Sequence, residues 1–422
     1  MKKHVYRSTE ITKVNIAQLG EKVKGKKVVF GVDIAKQDNF GALLIEEQKE
    51  PVITIKWRHP ERSREMVQVL KSLGAAKVEV ALEPSGTYGD PVRNLFWDEG
   101  IEVYRVSAKR SHDAVEVYDG VPSWHDAKSG SVIGKLHVDG ASSLWKMEGE
   151  YERDLAAVVN TMDMVQQQYQ QNANRLEAIM ARHWPEAEEI LDRGGATFLE
   201  LLGLFGSAQE VSRQAGEARK LMRKVGRGFL EQEKIEQLIG SAQKTIGIPM
   251  TAIEAEEIGF LARRTRQLQQ ELHEAKKRVE RQGAQKKSIV NMSKVTGKAT
   301  AAVLVKGGGD PTEYPSAAQW VKGLGLNLKE RSSGKHKGKL KITKRGSGQA
   351  RRWLYYVVLR LIQKDAVVKA WYGRKVTRDG GVKMKALIAI MRKVAAGLWH
   401  VAQGKEFDTK KLFDAHRLGE IC

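Results

Sequence analysis

From Lys27 to Val106 the chain alternates short β-rich runs with turns and one helical stretch: KKVVFGVD, FGALLIEE, VITIKWRH, then SREMVQVLKSLG, KVEVALE and IEVYRVS. Short runs rich in β-branched residues and bounded by turn formers are strands, and strands interleaved with a helix restrict this stretch to an α/β domain. VVFGVD and FGALLI read as a hairpin-linked pair. KVEVALE follows a helical crossover, and a crossover is what parallel neighbours require, so it is expected to lie parallel beside the first strand.

From about Ser143 to Ser288 the composition turns rich in Gln, Glu, Arg and Lys. DLAAVVNTMDMVQQQYQQNANRLEAIMARHW and FLARRTRQLQQELHEAKKRVERQGAQKKSIV carry apolar residues at three-to-four spacing, the mark of amphipathic helices. They read either as two helices of a bundle or as an antiparallel coiled-coil arm for dimerisation or for gripping nucleic acid. Between them, Gly194 and Gly195 interrupt ILDRGGATFLELLGLFGSAQEV and predict a turn and a small helical subdomain. Near Met292, SKVTGKATAAVLVKGGGDPTEYPSAAQWVKGLGLNL predicts a helix, a Gly turn and a second helix, whose backbone N–H groups suit a phosphate. Helices resume at ARRWLYYVVLRLIQKDAVVKAWYGRK and KMKALIAIMRKVAAGLWHVAQG, where Trp353, Tyr355, Tyr356 and Trp399 read as core residues rather than base-stacking platforms.

Lys and Arg number 72 against 51 Asp and Glu, a net charge of +21 over 422 residues. An excess of that size favours polyanions through phosphate neutralisation and counterion release. The opening MKKHVYRSTEITKVN is polar and no apolar run of about 18 residues occurs, so a cytoplasmic chain with no membrane partner is expected. Cys422 is the only cysteine, which excludes an intrachain disulfide and a cysteine metal cluster.

Against that charge, three acids stand out. Asp33 ends VVFGVD, Glu83 ends VEVALE, and Asp126 opens HDAKSGSVIGKL, a helix start. Side chains leaving the carboxyl ends of neighbouring parallel strands converge on one crevice. Carboxylates gathered there call for a cation, and Mg²⁺ is the expected one, since it binds through one or two carboxylates plus substrate phosphate. The plain alternative makes Asp33 and Glu83 caps of the turns that follow them. Asp126 has as its simplest role the N-cap of its helix, which does not prevent its carboxylate from facing the crevice. Ser129, three residues on, shares that face, and His125 reads as a support for Asp126.

From Lys329 to Arg352, KERSSGKHKGKLKITKRGSGQARR holds ten Lys or Arg and a single acid, Glu330. With Gly334, Gly338 and Gly346 allowing close backbone approach, it reads as a solvated strap on nucleic acid, with Lys335, Lys337, Lys339, Lys341, Lys344, Arg345, Arg351 and Arg352 as its contacts. Ser332 and Ser333 lie within it, where surrounding cations would stabilise charge on an attacked phosphate. His336 and His400 are read as ordinary contact residues.

These residues together resemble the DEDD-type insertion-sequence transposases, related to the pilin-gene invertase, which work as bridge-RNA-guided serine recombinases. GVDIAKQDNF resembles the family's opening strand motif, ALEPSGTYGDPVRNLFWDEGIEVYRVS its second carboxylate block, and HDAKSGSVIGKL its DxxDAxxIAxL helix. VTGKATAAVLVKGGGDPTEYPSAAQWVKGLGL, SSGKHKGKLKITKRGSGQARRWL and GGVKMKALIAIMRKVAAGLWHV follow its C-terminal domain in order. The resemblance implies that Asp33, Glu83 and Asp126 are the first three acids of a tetrad that binds Mg²⁺ in a RuvC-like domain. The fourth position falls on Ser129, a departure from the family's acid. The nucleophilic serine lies in an S-x-G-K context, which maps to Ser332, with Ser333 beside it.

The expected fold class is therefore α/β plus all-α. It comprises a ribonuclease-H-like (RuvC-like) domain over 1–142, a long helical coiled-coil region over 143–290, a mostly helical C-terminal transposase domain with the basic serine loop over 291–404, and a tail over 405–422. The resemblance implies donor and target DNA, a noncoding guide RNA and further copies of the chain, as a dimer or tetramer, as partners. Two other enzymes remain in view: a RuvC-type structure-selective nuclease with no covalent intermediate, and an actin-like ATPase, whose further phosphate and adenosine motifs are missing. A non-catalytic nucleic-acid-binding protein is the alternative outside enzymes.

Overall fold

The computed structural model describes residues 7–84, 86–330, 338 and 340–413, and the chain forms two compact units, 1–148 and 149–422. The first unit holds a seven-stranded sheet: β1 (Ser8–Glu10), β2 (Lys27–Asp33), β3 (Asp38–Ile45), β4 (Pro51–Arg58), β5 (Lys77–Leu82), β6 (Glu102–Val106) and β7 (Ser142–Leu144), in the order β1-β4-β3-β2-β5-β6-β7. β2, β3 and β4 form an antiparallel meander, β5 lies parallel beside β2 as its crossover predicts, and β6 lies parallel beside β5. The helices are α1 (Ile16–Val23), α2 (Ser63–Ser72), α3 (Asp90–Asp98), α4 (Ala108–Asp113) and α5 (Asp126–Val138).

β2 is apolar on both faces because both are covered. Val28, Phe30 and Val32 share a core with Val80, Leu82 and Val103 and with Leu19, Met66, Leu70, Val92 and Phe96 of α1–α3. Val29 and Ala81 point the other way, into a core with Val132, Ile133 and Leu136 of α5. On that face Gly31 admits the α5 backbone directly: a Cβ there would stand 2.2 Å from Gly130 O and 2.4 Å from Gly134 N.

In the second unit α6 (Glu150–His183) and α12 (Ala252–Gly283) pack antiparallel along their length. Leu155, Val159 and Met162 share a core with Leu272, Ala275 and Val279, whereas Leu176 and Met180 share another with Ile258 and Ala262. The second core is completed by α7 (Ala187–Ile190), α8 (Ala196–Phe205), α9 (Ala208–Arg213), α10 (Ala215–Gly226) and α11 (Gln232–Lys244), the small subdomain expected beyond Gly194 and Gly195. The first core continues into α13 (Lys287–Thr296), α14 (Lys298–Gly308), α15 (Ala317–Gly323), α16 (Gly348–Lys364), α17 (Ala366–Arg378) and α18 (Lys383–Ala402), with α19 (Thr409–Leu412) behind it. A two-stranded ribbon, β8 (Leu328–Lys329) and β9 (Lys341–Ile342), stands between α15 and α16.

Packing draws the divisions differently from composition. The first falls at 148/149 rather than 142/143, because β7 hydrogen-bonds to β6 and Trp145 packs on the sheet's core. Composition changes near residue 290, but one apolar cluster joins α6 and α12 to the helices beyond, so the second unit is continuous there. Tyr356 is a further correction: Trp353, Tyr355 and Trp399 are half-buried against the core, with Trp399 Nε1 donating to Tyr314 O at 3.2 Å, but Tyr356 is 57% exposed. It falls on the outward face of α16, one residue from the stripe formed by Leu354, Val357 and Val358.

Candidate functional site

β2 and β5 are paired so that Val32 stands opposite Leu82, which leaves Asp33 and Glu83 as the next residues at the carboxyl ends of adjacent parallel strands. Side chains alternate along a strand. Asp33 therefore shares the face of Gly31, and Glu83 the face of Ala81, the face that α5 covers. The contact of Gly130 and Gly134 with Gly31 presses α5 onto the end of β2 and brings its first turn to Asp33. Ser129, 1% exposed, hydrogen-bonds the Asp33 carboxylate, and its hydroxyl also lies 3.3 Å from His125 O.

The N-cap of α5 is His125, whose side chain accepts from Lys128 N at 3.4 Å, and this corrects the role expected of Asp126. Asp126 is the first residue of the helix, solvent-exposed, and its carboxylate takes no part in capping. That carboxylate and Glu83 lie close enough to act on Asp33, whose carboxyl is pushed up to about 6. Burial is the largest cause, the Ser129 hydroxyl opposes it, and the fields of Asp126 and Glu83 add to it. Three of the acids singled out in the sequence are thus brought together, with Ser129 bonded to the most buried of them. Among the described residues no three Asp, Glu, His or Cys side chains are grouped so that they could hold a metal ion.

Two supports of this arrangement had no signal in the sequence. Lys128 is 1% exposed, and its Nζ pairs with Asp119 at 2.9 Å and donates to Val121 O at 2.6 Å, which ties the preceding loop to the first turn of α5. In a linear reading it is an ordinary solvated lysine of a helix. At the opposite end of α5, His137 Nε2 meets Glu79 Oε2 at 2.9 Å and His137 Nδ1 meets Ser142 Oγ at 2.7 Å, which clamps the last turn to β5 and β7. Burial pushes the Glu79 carboxyl up, but the hydrogen bonds from Lys77 and His137 and the nearby Lys27 outweigh it and hold Glu79 down at about 2.

In the second unit, Ser332, Ser333, Lys335, His336, Lys337 and Lys339 lie outside the described residues. The ribbon brings the two ends of that segment together, with Lys329 opposite Lys341. Lys341, Lys344 and Arg345 are exposed beside it. Arg351 is half-buried instead, and Arg352, though exposed, is tied down by an ion pair. Arg351 Nη1 donates to Leu324 O at 3.1 Å and to Gly346 O at 3.0 Å, and burial holds its pKa down, while Arg352 pairs with Asp163 of α6. The expected helix–Gly–helix turn is present as α13, Gly297 at φ +86° and α14, whereas His400 packs edge-on against Trp399.

Among the described residues no helix is long and apolar enough to cross a membrane. Among curated proteins none matches this chain. Residues 288–373, all in the second unit, match the family model of the IS116/IS110/IS902 transposases, and that match supports an insertion-sequence transposase, an enzyme that cuts and rejoins DNA.

Proposed function

We propose that this chain is the recombinase of a mobile insertion sequence, joining donor to target DNA through a phosphoserine link, with a noncoding bridge RNA choosing both sites by base pairing. The observation that carries the reading is the gathering of Asp33, Glu83 and Asp126 at the carboxyl edge of the sheet, where burial first, and then the fields of Asp126 and Glu83, raise the Asp33 pKa. An antiparallel meander followed by two parallel strands on its first member is the ordering of a ribonuclease-H-like, RuvC-like domain, and it supports assigning that fold to the first unit.

The acids fit Mg²⁺. They are all hard oxygen donors, and although no three of the described side chains are grouped to hold an ion, a magnesium ion needs only one or two carboxylates because it keeps waters and takes substrate phosphate. When bound by Asp33, Glu83 and Asp126, the ion would supply charge neutralisation at the phosphate under attack. Ser129 keeps the Asp33 carboxylate oriented through its hydroxyl, and Lys128 and His137 hold the helix that carries Asp126.

The attacking group is Ser332, with Ser333 as its neighbour. Its oxygen forms a bond to phosphorus as the bond to a deoxyribose oxygen breaks, so the phosphodiester energy is kept in the phosphoserine and religation needs no ATP. Lys335, Lys337, Lys339, Lys341, Lys344 and Arg345 would neutralise backbone phosphates nearby. Arg351 and Arg352 contribute by fixing the base of that loop. A net charge of +21 suits a chain that holds a folded RNA and two DNA segments by backbone and shape.

Incubating the protein with guide RNA, labelled target DNA and Mg²⁺ should give a protein–DNA adduct that survives denaturation. Ser332→Ala should abolish it and Ser333→Ala should leave it. Hydrolysed ends without an adduct would instead identify a RuvC-type nuclease. Full DNA binding with Asp33→Ala and no cleavage by either protein would identify a non-catalytic binder.

Assembly as a dimer or tetramer, with the paired long helices as a coiled-coil arm at the interface, is supported by apolar side chains left in solvent. Ile246 is 88% and Ile253 73% exposed, with Leu204 and Phe260 also exposed on α8 and α12. Exposed apolar side chains on neighbouring elements mark association surfaces. The double substitution Ile253→Glu and Phe260→Glu is expected to lower the mass seen by light scattering to that of one chain without loss of helix content; an unchanged mass places the interface elsewhere.

A further inference from the structure

Arg93 is the fourth residue of α3 and only 6% exposed. Helical side chains lean toward the amino end of their helix. Arg93 does so: its Nη2 donates to Gly86 O at 3.3 Å, in the loop leaving β5, and pairs with the carboxylate of Asp90, the first residue of α3. Its Nε and Nη1 are buried and have no hydrogen-bond partner among the described residues. Buried donors are almost always bonded, and a guanidinium presents its five N–H groups as a rigid fork that matches two oxygens of a phosphate.

The surroundings are incomplete in the same sense. The first-turn N–H groups of a helix have no intrahelical acceptor, and those of the nine-residue α3, which are those of Asp90 and Val92 because Pro91 has none, face the end toward which Arg93 leans. Among the described residues one long bond to a carbonyl and one carboxylate are all that the guanidinium has, and that carboxylate, Asp90, is 63% exposed. Gly86 lies three residues beyond Glu83, so this end of α3 belongs to the sheet edge that carries the acids.

We infer that Arg93 and the first turn of α3 form a binding site for one phosphodiester group of a nucleic-acid strand, with Asp90 standing in for the phosphate in the free protein. This rests on the proposed function, in that the strand must pass along the carboxyl edge of the first unit. As the Asp90 carboxylate turns out to water, Nη2 and the adjoining Nε, the two donors on one edge of the guanidinium, take two phosphate oxygens, and the first-turn N–H groups of Asp90 and Val92 add to them, Pro91 having none. One loop away from Glu83, the site fixes the register of the strand beside the acids.

Opposite effects of two substitutions test it. Binding of the full-length protein to a fluorescent DNA duplex is followed by anisotropy across a salt series, with inorganic phosphate as a separate ligand in thermal melts. Arg93→Gln should weaken duplex binding about tenfold and lower the slope of log K against log salt by about one. Asp90→Asn should tighten binding several-fold, because the competing carboxylate is gone. Phosphate should raise the melting temperature of wild type and Asp90→Asn but not of Arg93→Gln.

A pair that only braces the loop predicts weaker binding for both variants or no change for either, and each of those results overturns the site. Phosphate protection that needs Arg93, with duplex affinity that does not, would make free phosphate the ligand and overturn the strand assignment. If Arg93→Gln does not fold, Asp90→Asn decides alone. DNA binding with the stated dependence but no cleavage or adduct leaves this site standing and removes the recombinase reading.

Discussion

Asp33→Asn is expected to abolish strand cleavage while making the metal-free protein more stable at pH 7.5. A carboxylate that helps hold a catalytic cation is worth several kcal/mol of transition-state stabilisation, so the loss is on the order of 10³-fold or more. The stability change has the opposite sign because Asp33 titrates at about 6 in the folded chain against 3.8 for the free side chain. Its folded form holds the proton more tightly. Below the unfolded value acid and amide are equivalent. As pH rises from about 4 to about 6 the wild type loses stability relative to the amide, and above that the gap is constant. Discounted for partial solvent exposure, it is about 1–2 kcal/mol, or several degrees in melting temperature. Mg²⁺ should raise the melting temperature of wild type and do little for the variant. Melts at pH 4 and pH 7.5 with and without Mg²⁺, beside a cleavage assay, check all of this; a variant less stable than wild type at pH 7.5 would remove the case for crowded carboxylates.

Gly31→Ala should be the most damaging single methyl in the first unit. Its Cβ would overlap Gly130 O and Gly134 N, both backbone atoms of α5, so a whole helix has to move. Overpacking of this kind costs at least about 3 kcal/mol. Cleavage should fall with stability, because α5 carries Asp126 and Ser129. Gly134→Ala is the control. Its Cβ would meet the Leu44 Cδ1 methyl at 2.5 Å but backbone only at 3.5 Å, so a side-chain rotation accommodates it and the cost should be about 1 kcal/mol. Urea melts followed by circular dichroism separate the two, and equal losses would show that α5 does not rest on the strand at Gly31.

The elements of the first unit were legible because their signals are local. Short apolar runs bounded by turn formers mark β2 through β6, and an acid after such a run is placed at a strand end by counting alone. The start of α5 is legible to within a residue, but the sequence points to Asp126 as the cap rather than His125, since both types satisfy the first turn and only the backbone around residue 125 distinguishes them. Tyr356 reads as core in the sequence because every aromatic of α16 is apolar by type, whereas burial depends on which side of the helix the neighbours occupy.

What the sequence determined by itself is the set of strands and long helices, the excess of cations, and the positions of three carboxylates at element ends, all fixed by interactions between residues close along the chain. Only the tertiary structure decided that Ser129 bonds Asp33, that Lys128 and the Glu79–His137–Ser142 chain hold α5 at both ends, that Arg351 bonds backbone carbonyls and Arg352 pairs with Asp163, and that the helices before and after residue 290 share one core. These depend on pairs of residues up to 189 positions apart, as for Arg352 and Asp163, and the free energy of such a contact comes from desolvation and geometry that exist once the chain has packed.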